Sequence, residues 1–356
     1  METTAMTVAA CAEDGAVRLE TRPRPDPGPG EMLLRLRTAG LCGTDLFKLR
    51  HATAAAGTVL GHEVVGSVAA LGEGVVGFAP GDRVVVPHHV ACGECDLCRR
   101  GNEPSCPAFQ ENLLAPGGFS DWVMVRERAV RRAAFGLPPH LKDEAAVFLE
   151  PAACVLRGIV HARLPETALT GPSPACVAVL GGGSMGLLHL LVLKAVHPTL
   201  RVVVSDPLEE RRELARRLGA DATASPSAAG REVAALSGDR GADAVFDTVG
   251  GAAPLAAALD LSRAGGTVVL FAHADAGERA AFDLNAFFKR ERRLLATYSS
   301  ALAEQREVFR LLVSGRLDPS PLATHRLPLS RFAEAVELAR ERRAVKVLLT
   351  PDEEHP

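Results

Sequence analysis

The stretch CVAVLGGGSMG, Cys176 to Gly186, decides the fold. Cys176–Leu180 is an unbroken apolar run of strand length, and Gly181, Gly183 and Gly186 follow it at once in G-x-G-x-x-G spacing. Met185–Val196 then reads as an apolar helix. Three glycines alone are a weak signal. Between a strand and a helix they are a strong one: they permit a tight turn and close backbone approach, and the helix N-terminus is placed to receive a pyrophosphate. Ser184 and Met185 lie inside the same turn.

Outward from this loop the pattern alternates. Arg201–Ser205 reads as a second strand and Leu208–Leu218 as an amphipathic helix stopped by Gly219, with further strands at Ala244–Asp247 and Thr267–Phe271. That order predicts an α/β unit with a parallel, doubly wound sheet. Asp206 ends the second strand, twenty residues beyond Gly186. A carboxylate there hydrogen-bonds ribose hydroxyls and repels a 2′-phosphate, which favours NAD over NADP. Arg211 and Arg212 argue the other way, but Glu209, Glu210 and Glu213 surround them as on a solvated helix face. Helices at Leu302–Ser314 and Leu329–Glu341 and a strand at Val345–Leu349 follow.

Upstream, the first ~150 residues read as β-rich, the size of one further domain. Short segments at Met32–Arg37, Val64–Ala70, Arg83–Val86 and Trp122–Val125 are separated by turns such as Pro23–Gly30, Gly72–Gly77 and Pro80–Asp82. The whole chain of 356 residues has room for about two domains. A net charge of -3, from 40 Lys+Arg against 43 Asp+Glu, argues against nucleic acid or a polybasic membrane contact. The N-terminal residues lack a basic segment followed by an apolar one, and no apolar run approaches a ~20-residue span, so a cytoplasmic protein is expected. In that reducing compartment the eight cysteines read as metal ligands, reactive groups or buried thiols, not disulfides.

Four of them, Cys92, Cys95, Cys98 and Cys106, form C-x2-C-x2-C-x7-C. Four thiolates this close can wrap one tetrahedral ion with no open position, which suits structural zinc; iron–sulfur clusters use similar spacings. Cys42 in AGLCGTD and His62 and Glu63 in LGHEVVG lie in glycine-flanked turns, and Glu150 follows an apolar run in AVFLEPAAC. Cysteine, histidine and a carboxylate around one remaining water would make an open zinc site. Their spacing alone does not join them.

Both metal patterns upstream of the glycine loop make the chain resemble the zinc-dependent medium-chain dehydrogenase/reductases, and within them the sorbitol and threonine dehydrogenase branch. The resemblance runs through AGLCGTD, LGHEVVG, GVVGFAPGDRVVV, the four-cysteine lobe, GGFSDWVMV, LEPAAC, VLGGGSMG and VSGRLDPSPLATHRLPLSRFAEAVEL. It implies a GroES-like β-rich catalytic domain over 1–150, with a structural zinc lobe at about 88–107. A Rossmann domain over 151–294 and a C-terminal return over 295–356 complete it, with the active site in the cleft between. It implies two zinc ions per chain: a catalytic one on Cys42, His62 and Glu150, with Glu63 as an exchanging or alternative ligand, and a structural one on Cys92, Cys95, Cys98 and Cys106. Which carboxylate binds directly stays open.

The resemblance also places Asp206 and Arg211 at the adenosine ribose, and Thr248, Val249, Phe271, Ala272, His273, Thr297 and Tyr298 on the nicotinamide side. The expected reaction is reversible oxidation of a secondary alcohol to a ketone on a polyol, cyclitol or amino-cyclitol, with zinc stabilising an alkoxide and NAD taking hydride. Thr44, two residues after Cys42, is the expected proton relay. Phe47 stands where many relatives carry a relay histidine, which leaves Asp45 or His51 as substitutes. Threonine-type and primary alcohol dehydrogenases are the alternatives, followed by a non-catalytic zinc- and NAD-binding protein. The family implies a homodimer or homotetramer.

Overall fold

The structure, a computed structural model, describes residues 5–13, 15–164 and 175–352. The chain forms two compact units, one from residues 1–151 with 301–356, the other from 152–300. The chain passes from the first to the second inside the helix Leu149–Ala162. Among the described residues no helix is long and apolar enough to cross a membrane.

The unit 152–300 is built on a six-stranded sheet. Across it run Ala222–Ala224, Arg201–Ser205, Cys176–Leu180, Ala242–Asp247, Ser262–Leu270 and Arg293–Ala296, and every neighbouring pair is parallel. In chain order that is 3-2-1-4-5-6, the dinucleotide-binding arrangement, and the order reverses beside the central strand Cys176–Leu180. All five residues of that strand are buried, as a central parallel strand covered on both faces must be. Sheet strand Ser262–Leu270 begins five residues before the Thr267 start expected from sequence, because Gly265 and Gly266 interrupt its apolar pattern without ending it.

The unit 1–151 with 301–356 carries an eight-stranded sheet. Ala323–Pro328, Lys346–Thr350, Met32–Gly40, Glu63–Leu71, Arg83–Pro87 and Phe135–Gly136 lie side by side, with Trp122–Val125 paired to Met32–Gly40 and Leu114–Ala115 paired to Trp122–Val125. In Met32–Gly40 the side chains of Leu34, Leu36 and Thr38 are buried while Arg35 and Arg37 face solvent, the period-two pattern of a strand with one covered face. Buried leucines and valines here each contribute roughly 1.5–3 kcal/mol. They join Phe119 and Phe332 in one core, which the C-terminal helix Phe332–Arg340 helps to close. Two strands not foreseen, Ala5–Cys11 and Val17–Pro23, make a separate antiparallel hairpin.

Candidate metal centres and dinucleotide site

The turn around Cys42 is the start of a helix, Gly43–Arg50, with Cys42 at its cap. Asp45 Oδ2 accepts the Cys42 N–H at 3.0 Å, and Asp45 Oδ1 accepts that of Gly61 at 3.4 Å. This one carboxylate therefore ties the cysteine turn to the LGHEVVG turn. His62 Nδ1 lies 3.3 Å from the same Oδ1. Asp45 is 1% exposed. Buried and fully engaged, it orients His62, as an outer carboxylate does for a metal-bound imidazole, and it is not open to carry a proton outward. It also caps the turn through the Cys42 N–H.

Cys42, His62 and Glu63 present ligand atoms that all lie within 4.8 Å of one another. Glu150, in the first turn of Leu149–Ala162 and buried, stands outside that group. Burial pushes the His62 imidazole down, but Asp45 and the Cys42 sulfur outweigh it and hold His62 well above the ordinary histidine range. The site thus favours positive charge, which with a thiol, an imidazole and a carboxylate suits a divalent cation. His51, the other relay substitute, is exposed, and its ring packs on Phe47 at 4.4 Å.

The four-cysteine lobe fits a tetrahedral ion closely. Sulfurs about 2.3 Å from one zinc stand about 3.8 Å apart. Here Cys92–Cys106 and Cys95–Cys98 are 3.5 Å apart and Cys92–Cys98 3.9 Å. Backbone N–H groups of Glu94 and Cys95 aimed at the Cys92 sulfur pull it down to about 6, whereas burial pushes Cys98 up to about 12. Two arginines one turn apart on the helix Glu127–Ala133 hold the lobe. Arg128 donates to the carbonyls of Val90 and Ala108, both at 2.9 Å, and Arg132 donates to that of Cys92. No local pattern in the sequence marks these two arginines.

In the other unit, the expected cofactor residues sit at the C-terminal ends of parallel strands, except Arg211, which lies in the helix Glu209–Arg217. Gly181–Gly186 follow Leu180, Asp206 follows Ser205, Thr248 and Val249 follow Asp247, Phe271–His273 follow Leu270, and Thr297 and Tyr298 follow Ala296. Ligands of open α/β sheets bind at this edge. A Cβ on Gly186 would meet the Gly181 carbonyl oxygen at 1.8 Å, so that glycine is required by the turn itself. A Cβ on Gly183 would meet nothing within 4 Å, so there the bare backbone faces open space, as a phosphate cradle needs. Ser184 Oγ and Thr297 Oγ1 are buried without a hydrogen-bond partner, two orphaned groups that a bound dinucleotide would satisfy. Asp206 accepts from Gly182 N at 2.7 Å and Leu208 N at 2.8 Å, and Arg211 packs beside Gly182.

Comparison with known proteins gives the family. Residues 28–134 match the alcohol dehydrogenase GroES-like domain, and residues 184–314 match the zinc-binding dehydrogenase family. The L-threonine 3-dehydrogenase of Pyrococcus horikoshii is 31% identical over 336 residues, covering 91% of this chain and 92% of the relative. The chain belongs to the zinc-dependent medium-chain dehydrogenase/reductases, and it is an oxidoreductase. The sorbitol dehydrogenase of Bacillus subtilis is 28% identical over 351 residues, with 94% of both chains covered. Among solved structures, alcohol dehydrogenase TADH from Thermus sp. ATN1 superposes with a TM-score of 0.85 at 30% identity, covering 97% of this chain and 100% of its own. The GroES-like and Rossmann assignment from sequence stands.

Proposed function

We propose that this dehydrogenase reversibly oxidises a secondary alcohol to a ketone on a polar substrate of polyol, cyclitol or amino-cyclitol type, with NAD as the hydride acceptor. The observation that carries the reading is the convergence of Cys42, His62 and Glu63 ligand atoms within 4.8 Å in surroundings that favour positive charge. A zinc ion held there supplies Lewis acidity toward the substrate oxygen.

The chain's own residues have separable tasks. Asp45 accepts from His62 Nδ1, which leaves Nε2 as the nitrogen for a metal. Cys42 and one carboxylate supply the anionic charge; the position of Glu63 inside the group supports it over Glu150 as the direct ligand. Thr44, on the first turn of the helix that Cys42 caps, carries the alcohol proton outward. On the other unit, Gly183 and Ser184 receive the pyrophosphate at the start of the helix Ser184–Val196, and Asp206 takes the ribose hydroxyls and disfavours a 2′-phosphate. The lobe cysteines hold a second, structural zinc. A cytoplasmic location and a homodimeric or homotetrameric state remain part of the reading, supported by the cysteine usage and by the family.

The test combines zinc analysis with NADH or NADPH formation across sorbitol, ribitol, inositols, amino-cyclitols, threonine and simple alcohols. Two zincs per chain, one lost in Cys42→Ala together with turnover, and preference for a cyclic or linear polyol would support the reading. Threonine as the preferred substrate, or a Cys42→Ala protein that keeps both ions and full activity, would overturn it.

A further inference from the structure

We propose that the four-cysteine lobe positions His62 through a continuous stack of rings, so that His88 and His89 act as positioning residues for the metal group. The proposal rests on the reading of Cys42 and His62 as metal ligands. From His62 the contacts run outward without a gap. The His62 and His88 rings lie 4.7 Å apart between centroids, His88 and His89 3.7 Å, and His89 and Phe109 5.0 Å. Phe109 is 1% exposed and forms, with Ala91 and Cys106, the small core against which Cys92, Cys95 and Cys98 pack.

The backbone around the stack is pinned where it enters and leaves the lobe. Leu113 N donates to the His88 carbonyl at 2.9 Å on the way out, and Arg128 bridges Val90 on the way in to Ala108. His88 Nδ1 is buried with no hydrogen-bond partner, so this nitrogen does not anchor the ring, which meets its neighbours as a packing surface. Asp45 fixes the tautomer of His62 from one side. The stack fixes its tilt from another, because close-packed rings transmit displacement and do not absorb it. An ordered lobe is thereby coupled to the angle at which His62 meets an ion.

The experiment uses the full-length protein reconstituted with Co2+, whose visible ligand-field spectrum reports the coordination geometry. His89→Ala should change the bands of the Cys42/His62 site and weaken Co2+ binding there about tenfold, the scale of an outer-shell loss. His89→Phe, which keeps the ring and removes the nitrogens, should restore both. His89→Ala with the parent spectrum and affinity overturns the proposal, as does a His89→Phe protein that stays altered. Cys42→Ala separates this failure from failure of the metal reading: if it retains the full cobalt complement, that reading falls and the stack's role with it. If Cys42→Ala loses one ion while His89→Ala is silent, only the stack is disproved.

Discussion

Lys346 Nζ donates to Glu63 Oε1 at 2.6 Å, with both side chains buried, although 283 residues separate them along the chain. They meet because Lys346–Thr350, Met32–Gly40 and Glu63–Leu71 are neighbouring strands, with Gly40 paired to Glu63 in register. Gly40 makes room for the pair: a Cβ there would stand 1.9 Å from Glu63 Oε2 and 2.9 Å from Lys346 Cε. Burial would lower the lysine, but Glu63 outweighs it and holds the ammonium above its ordinary range. A candidate zinc ligand is thus half of a buried ion pair.

Removing only the lysine should therefore be costly. Lys346→Met leaves the Glu63 carboxylate buried without its counter-ion and should lower unfolding free energy by about 3–5 kcal/mol. Adding Glu63→Gln should return much of that loss. Urea denaturation of the two single variants and the double variant measures it, and additive losses would show that the pair is not coupled.

The guanidinium of Arg132 stands at the Cys92 carbonyl. A zinc held by the four thiolates would carry two negative charges with them, and this cation would offset part of those. In a Cys42→Ala background, where only lobe zinc remains, Arg132→Gln should speed zinc transfer to a chromophoric chelator about tenfold. Arg132→Lys should lie between. An unchanged rate would reduce Arg132 to a purely mechanical clamp.

Asp206 ties the glycine loop to the start of the following helix and is the residue proposed to take the ribose hydroxyls. Asp206→Ala should weaken NADH binding about tenfold, a loss of roughly 1.4 kcal/mol from hydrogen bonds to a charged group. NADPH should be hurt less, so the ratio of the two dissociation constants moves toward NADP. Fluorescence titration reads both, and a constant ratio would remove Asp206 as the discriminating residue.

His189 predicts a pH dependence of stability. It is fully buried, donates one hydrogen bond from Nδ1 to the Met185 carbonyl at 2.7 Å, and burial lowers it from 6.5 to about 4. Between those values the unfolded chain binds the extra proton, so stability rises with pH through this window and falls as the medium is acidified from about 6.5 toward 4. The contribution of this residue should reach about 2 kcal/mol at roughly pH 5. His189→Leu should flatten that part of the profile in chemical denaturation, and an identical slope in both proteins would exclude the residue as its source.

Much of the architecture was legible along the chain because its signals are local. The strand, glycine turn and helix at Cys176–Val196 are set by neighbours in sequence, and the six-stranded parallel sheet follows from their repetition. The four lobe cysteines fall within fifteen residues, so their convergence needs only a loop to close. Cys42, His62 and Glu63 could be singled out from sequence, but only through a family resemblance, since no spacing rule brings residue 42 to residue 62.

The tertiary structure decided the rest. It gave Asp45 to His62, set Glu63 among the ligand atoms and against Lys346, left Glu150 outside that group, and stacked His88 and His89 between His62 and the lobe. Each of these depends on strand register and on which side chains share a face after the sheet has formed. Composition, spacing and periodicity describe the chain within a few turns of itself; a contact between positions 63 and 346 is created by packing alone.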